Sequence, residues 1–251
     1  MWNRQELKAN GKAAFRRNYW RSVLVAVILA AILGVGAGTA GSSASQEIRQ
    51  DTKQGTYSEA TGNETLDQLI GAMETAAAPA VRTAVFAAVL GGSLVTLVLT
   101  ILVLNPLQVG CRSFFAKNTA AHAEMDELGR GFKRGWGSTV GTMLLMDLFL
   151  GLWFLLLIVP GIIKSYSYRL VPYLLAEHPD WKGTKAITVS RQWMKGNKWK
   201  AFVLDLSFIG WELLSALTCG ILGIFYVNPY VQATDAELYR AIAAAHTGET
   251  L

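Results

Sequence analysis

The chain has 251 residues, 52% of them hydrophobic and only 16% charged, against about 25% charged residues in an ordinary soluble domain. With a positive mean hydropathy, that shortfall argues against a soluble globular enzyme, and so much apolar surface excludes disorder over most of the chain. The net charge of +5 would suit nucleic acid or a membrane surface, so the placement of the charges has to decide.

Crossing a bilayer takes about 20 apolar residues as helix. Residues 1–21 hold six Lys/Arg and one acid, and an uncharged apolar run follows at 22–40. Residues 37–44 resemble a cleavage site for a signal peptide. The long basic region and long apolar run before it favour an uncleaved first span. Residues 41–82 hold three Lys/Arg and six acids and read as an exterior loop. Within it a helix is expected over 65–77, where Leu66, Leu69, Ile70 and Met73 share a face; Asn63-Glu64-Thr65 fits a glycosylation sequon by chance. A second uncharged run covers 83–104 and closes at Pro106.

Segments 107–137 and 178–200 carry five and six Lys/Arg and read as cytoplasmic. The apolar stretch between them must therefore cross an even number of times. A hairpin with spans 139–159 and 161–176, turning at Pro160-Gly161, meets that condition. Residues 201–231 are too long for one upright span, about 46 Å as helix against a core of about 30 Å. A break at Cys219-Gly220 gives spans 201–217 and 221–236. The expectation is an all-α polytopic bundle of about six transmembrane helices with both termini cytoplasmic. Five spans with the C-terminus outside is the alternative. Positive-inside asymmetry then accounts for the net charge, and nucleic acid drops out as a partner.

Ala30, Gly34 and Gly38 form one small-residue ridge, and Ala84, Ala88 and Gly92 another, which suits close packing of the first two spans. Residues 182–198 mix Ile187, Val189, Trp193 and Met194 with Lys182, Lys185, Arg191, Lys195 and Lys198. They read as a segment lying on the membrane surface, or as a plain basic loop. Trp20, Trp136, Trp181, Trp193 and Trp199 fit an interfacial belt. Leu104-Asn105-Pro106, Val159-Pro160-Gly161 and Val227-Asn228-Pro229 each close an apolar stretch. They suggest three related helical hairpins, or merely prolines gathered at span ends with Pro106, Pro160, Gly161 and Pro229 as helix breaks.

Five charged residues in the apolar stretches are singled out as candidates: Asp147, Lys164, Arg169, Asp205 and Glu212. An ion there costs about 2.5–3.5 kcal/mol at the span centre. Asp205 and Glu212, seven apart, are expected on one helix face, within reach of Lys164 and Arg169. The four could form an ion path, or ion pairs that fix helix register; Lys164 could also reach the outer interface. No catalytic residues are expected. His122, His178 and His246 are isolated, and HExxH, GxSxG and Walker patterns are absent. Cys111 and Cys219 form no CxxC, so neither a disulfide framework nor a zinc site is implied. No cofactor or metal is expected.

The combined motifs resemble a bacterial multi-pass membrane family known only as domain of unknown function 975. They comprise Ile158-Val159-Pro160-Gly161-Ile162-Ile163-Lys164 with Tyr166-Ser167-Tyr168, Ala186-Ile187 with Ser190-Arg191, and Met194-Lys195-Gly196-Asn197-Lys198-Trp199. Leu204-Asp205-Leu206-Ser207-Phe208-Ile209-Gly210-Trp211 and Asn228-Pro229-Tyr230 with Ala233-Thr234 and Tyr239 continue the match. Glu6-Leu7-Lys8 and Asn18-Tyr19-Trp20 resemble the family's opening. The resemblance implies a bacterial cytoplasmic-membrane protein and no activity. The expected function is a non-enzymatic scaffold or accessory factor of the cell envelope, in contact with lipid and with a membrane-protein partner or further copies of itself. A small transporter or channel using Asp205 and Glu212 with Arg169 and Lys164 is the alternative.

Overall fold

The computed structural model describes residues 2–33, 95–133 and 135–246. Two units divide the chain, Met1–Leu33 with Ile101–Leu251, and Gly34–Thr100. Of the second, residues 95–100 are described, and they are helical. The 41–82 loop, its expected 65–77 helix and all ridge residues except Ala30 lie outside the described residues. Among those described, every element is helix or turn.

α1 (Arg4–Arg17) starts at Asn3, whose side chain accepts the Gln5 amide at 3.1 Å and so satisfies one of the free donors of the first turn. It ends at Asn18, and α2 (Tyr19–Leu33) follows. The joint is clamped by buried amides. Asn18 donates to the Asn118 side-chain oxygen at 3.1 Å and to the Ala123 carbonyl at 2.9 Å. Asn118 in turn donates to the Ala14 carbonyl at 2.9 Å. Buried amides need such partners.

α3 (Asn105–Ala120) is entered through a π turn, Thr100–Leu104, within the helix Val95–Ala120. A 3-10 segment, Met125–Phe132, then packs along α3. The approach leaves room only for glycine: a Cβ on Gly110 would stand 2.0 Å from the Leu128 carbonyl oxygen, and one on Gly131 2.0 Å from that of Pro106. The expected cytoplasmic segment 107–137 is therefore largely ordered helix.

α4 (Trp136–Leu156) and α5 (Ile158–Tyr168) make a hairpin. Its turn is at Leu157, in extended conformation, three residues before the expected Pro160-Gly161. Pro160 is instead the third residue of α5, where a missing N–H costs nothing. Gly161 lies against the Phe154 ring, 2.6 Å from where its Cβ would be. The expected 161–176 span is not one helix. It breaks at Arg169-Leu170, and α6 (Val171–Glu177) carries Pro172 as its second residue, whose ring cannot follow a continuous helical turn.

α7 (Lys185–Trp193) buries Ala186, Ile187, Val189 and Trp193, with Met194 beyond it. The apolar side chains of the 182–198 segment thus join the protein core, which corrects the expectation of a surface-lying segment. α8 (Lys198–Leu206) and α9 (Ile209–Leu217) replace the expected single span 201–217. The interruption has a local cause. The Ser207 hydroxyl donates back to the Leu204 carbonyl at 2.6 Å, a bond that bends helices. Lys8 donates to the Ser207 carbonyl at 3.3 Å and packs 4.3 Å above the Phe208 ring. Thr218-Cys219-Gly220 forms the expected break, with Cys219 and Gly220 at positive φ. After it comes a π turn, Gly223–Val227, and then α10 (Asn228–His246), which runs past the expected end at residue 236.

Pro106 and Pro229 do not end their helices. Each stands second in its α-helix directly after a π turn. A proline leaves the carbonyl four residues earlier without its usual donor. In both places an aromatic side chain supplies one: Trp136 Nε1 donates to the Leu102 carbonyl at 3.4 Å, and the Tyr19 hydroxyl to the Phe225 carbonyl at 3.2 Å. Two of the three sequence echoes thus share one device, whereas Val159-Pro160-Gly161 sits in a hairpin.

α1 packs on α10, and α3 packs on α6 and α10. Phe15, Phe114, Phe115, Tyr173, Leu174, Leu175, Met194 and Tyr239 are almost wholly buried there. Elsewhere large apolar side chains face outward: Leu148, Leu152 and Leu155 through Val159 on the α4–α5 hairpin, and Leu213, Leu217 and Ile221 around the α9 turn. Among the described residues, Val95–Ala120 and Trp136–Leu156 are the helices long and apolar enough to cross a membrane. The short pieces α5, α6, α8 and α9 correct the expectation of unbroken spans in those regions.

Candidate functional site

The breaks place charge. Arg169 sits at the joint between α5 and α6, where the turn frees its side chain to reach two other helices. Its guanidinium grips Asp205 of α8 bidentately, with both N–O distances at 2.7 Å. It also donates to Asp235 of α10. The second Asp235 oxygen faces Arg112 of α3 at 3.4 Å. Arg112 further donates to Gln232 and, at 3.3 Å, to the Tyr173 hydroxyl. Tyr166 donates to Asp205 at 2.8 Å. Four unlike charges thus alternate, Arg112, Asp235, Arg169 and Asp205, and sum to zero.

Geometry of this kind is what makes a buried ion pair tolerable: the planar Arg169 fork on Asp205, both carboxylates met on each oxygen by an arginine, and charge-assisted bonds between them. The Arg169 and Asp235 side chains are 16% and 10% exposed, while Asp205 is 35% exposed and forms the open end. The Arg112 Nε is buried without a hydrogen-bond partner among the described residues. Beyond Tyr173 the order continues. Its ring stacks on Tyr239 at 4.8 Å, and the Tyr239 hydroxyl donates to Glu177 at 2.6 Å. Burial, reinforced by that carboxylate, pushes the Tyr239 phenol well above its ordinary pKa and keeps it protonated. A cavity of about 360 Å³ lies beside Tyr173, with Lys117, Arg130, Glu177 and Arg240 on its walls.

Of the five charges singled out in the sequence, the structure brings Arg169 and Asp205 together. Glu212 does not share their face. It stands exposed on α9, beyond the Ser207-Phe208 interruption, and joins no ion pair among the described residues. Lys164 meets no acid among the described residues; its ammonium lies 4.4 Å over the Trp153 ring. Asp147 accepts a hydrogen bond from Asn105 at 2.8 Å, away from the cluster. Sequence reasoning missed Asp235 and Arg112. Asp235 carried the same signal as the others, a charge within an expected span. Arg112 stood in a basic segment where nothing set it apart. Among the described residues, no three His, Cys, Asp or Glu side chains gather as a metal set.

The sequence matches the family model described as "Protein of unknown function (DUF975)" over residues 1–246. The chain belongs to that family. Neither a curated protein nor a solved structure matches it.

Proposed function

We propose that this chain is a multi-pass bacterial cell-membrane protein with both termini cytoplasmic, acting as a non-enzymatic scaffold or accessory factor of the envelope. The single observation that carries the scaffold reading is the saturation of the cluster's two carboxylates. All four carboxylate oxygens of Asp205 and Asp235 are held by arginines of the same chain. A proton or cation carrier needs an acid that can exchange partners; here the acids tie α3, α5, α8 and α10 to one another. Outward apolar side chains on the α4–α5 hairpin and around α9 support a lipid environment, since soluble monomers rarely show large contiguous apolar patches.

A transporter or channel is the second reading. The cavity beside Tyr173 and the unpartnered Arg112 Nε favour it, because they bring a polar space close to the charged chain. Native purification from membranes in mild detergent, with mass spectrometry of co-purifying proteins, tests the scaffold. A stoichiometric envelope protein is the expected result. Ion flux into liposomes that disappears with Asp205→Asn, in protein purified without a partner, would replace the scaffold by the transporter.

A further inference from the structure

Two hydrogen-bonded ties hold α1 against α8. Trp2 Nε1 donates at 3.1 Å to the side-chain oxygen of Asn197, the residue before α8. Just past the other end of α8, Lys8 donates to the Ser207 hydroxyl at 3.2 Å and to its carbonyl at 3.3 Å. Between these ties lies a cavity of about 750 Å³. Arg4 and Gln5 line it from α1, and Trp199, Lys200 and Val203 from α8.

The walls are basic and aromatic. Lys200 stands 5.9 Å over the Trp2 ring, and Trp199 meets Phe202 with ring centroids 5.3 Å apart. Trp199 is nevertheless 71% exposed. Among the described residues no acid lines the cavity, and neither Arg4 nor Lys200 forms an ion pair. Lys117 and Arg130, by contrast, share Glu127. Arg4 and Lys200 thus line one space without a counter-charge, and an anion there would gain charge-assisted hydrogen bonds from both.

Both walls belong to the same side of the membrane. Residues 1–21 and 178–200 are the basic segments read as cytoplasmic, and the apolar run begins at Ala201. Trp199 and Lys200 therefore stand at the mouth of that run, where Arg4 of the N-terminal segment joins them. Beyond Val203, Leu206, Ile209 and Leu213 are exposed apolar side chains. Cations at the mouth and apolar surface beyond it match the two parts of an amphiphile.

We propose that the α1–α8 cavity binds the headgroup of one anionic phospholipid of the inner leaflet. Arg4 and Lys200 meet its phosphate, and its acyl chains leave over Val203 and Leu206. An exposed tryptophan such as Trp199 is the usual companion of a headgroup at this boundary. A choline headgroup gains less, because its ammonium finds no acid in the cavity and Lys200 already covers the Trp2 ring. A soluble anion would use the cations and leave Val203 and Leu206 wet. This inference rests on the membrane location proposed above.

The test is native mass spectrometry of the full chain, purified in mild detergent and offered an equimolar mixture of phosphatidylglycerol and phosphatidylcholine with identical acyl chains. The wild type is expected to retain phosphatidylglycerol preferentially. Lys200→Gln should lower that preference roughly fivefold, the equivalent of about 1 kcal/mol per cation near a membrane surface. Arg4→Gln in addition should lower it further, and Lys200→Arg should keep it. Lys182→Gln removes an exposed cation of the same side outside the cavity and should leave the preference unchanged. Unchanged thermal midpoints show that the variants fold; if Arg4→Gln does not, the Lys200 pair decides alone. Equal retention of the two lipids, or a loss as large with Lys182→Gln as with Lys200→Gln, overturns the site while the membrane location stands. Failure to retain either lipid, with protein recovered from the soluble fraction, overturns both. Release of the lipid by excess inorganic phosphate would leave a simple anion site and refute the proposal.

Discussion

Arg169 is held by two carboxylates, and the two are not equivalent. Asp235 is 10% exposed and also faces Arg112, whereas Asp205 is 35% exposed. Removing one member of a buried ion pair costs about 3–5 kcal/mol, because the other is left uncompensated. Arg169→Ala therefore leaves Asp205 without a cation and Asp235 with Arg112 alone, and should be the most destabilising change in the cluster. Asp235→Asn leaves the buried Arg112 without an acid, while Arg169 keeps Asp205, and should follow. Asp205→Asn should cost less, since water reaches the site and Arg169 keeps Asp235. Thermal unfolding in detergent ranks the three; an Asp205→Asn shift as large as that of Asp235→Asn would contradict the burial order. Glu127 offers a test by pH. Burial acts to raise its pKa, but hydrogen bonds from Lys117 at 2.5 Å and Ser113 at 2.7 Å, with Arg130 at 3.0 Å, outweigh this and hold it below the ordinary 4.5. A depressed carboxylate stabilises the fold above its unfolded pKa, and that stability is lost as pH falls through the folded value. The amide protection factors of Met125–Phe132, taken relative to the intrinsic exchange rate at each pH, should fall on acidification below about 4.5, and Glu127→Gln should remove that pH response. A segment equally protected at low pH would show that the Glu127 contacts contribute nothing.

Elements in this chain are shaped by where prolines fall and by what reaches the freed carbonyl. The apolar runs announced the helices, and Cys219-Gly220 announced the turn after α9, because positive φ there suits glycine. Hydropathy could not show that 161–176 breaks at Arg169, or that Ser207 interrupts α8 and α9. Those breaks depend on Pro172, on serine back-bonding and on Lys8, which is distant in sequence. The same holds for the cluster. Arg169 and Asp205 were legible as charges inside apolar runs, and Asp235 met the same criterion. Arg112 became visible only through the packing of α3 on α10. The π turns give an element-scale prediction. Tyr19→Phe removes the donor to the Phe225 carbonyl and should cost about 1 kcal/mol. Pro229→Ala returns a backbone N–H that can serve that carbonyl, so the cost of Tyr19→Phe should shrink in that background. A double-mutant cycle on unfolding free energies measures the coupling, and strict additivity would mean that the hydroxyl is not compensating the proline.

For the whole molecule the open question is how the apolar surface divides between protein and lipid, and the two cysteines answer it without new side chains. Cys111 is buried in α3, while Cys219 is exposed at the turn after α9. Around Cys219 the exposed side chains are apolar: Leu213, Leu217, Ile221 and Ile224. If α9 and the helix after the turn descend and return as two spans, the turn reaches the outer surface and its thiol meets water. If residues 201–231 cross once as a tilted segment, the same thiol lies in hydrocarbon. A membrane-impermeant maleimide should then label Cys219 in intact cells under the six-span reading, with Cys219→Ser as the blank and Cys111 reacting only after denaturation. Labelling only after the membrane is opened would place the turn inside and reverse the proposed topology. A thiol that stays unreactive until detergent dissolves the bilayer would support five spans, and with them a C-terminus outside the cell.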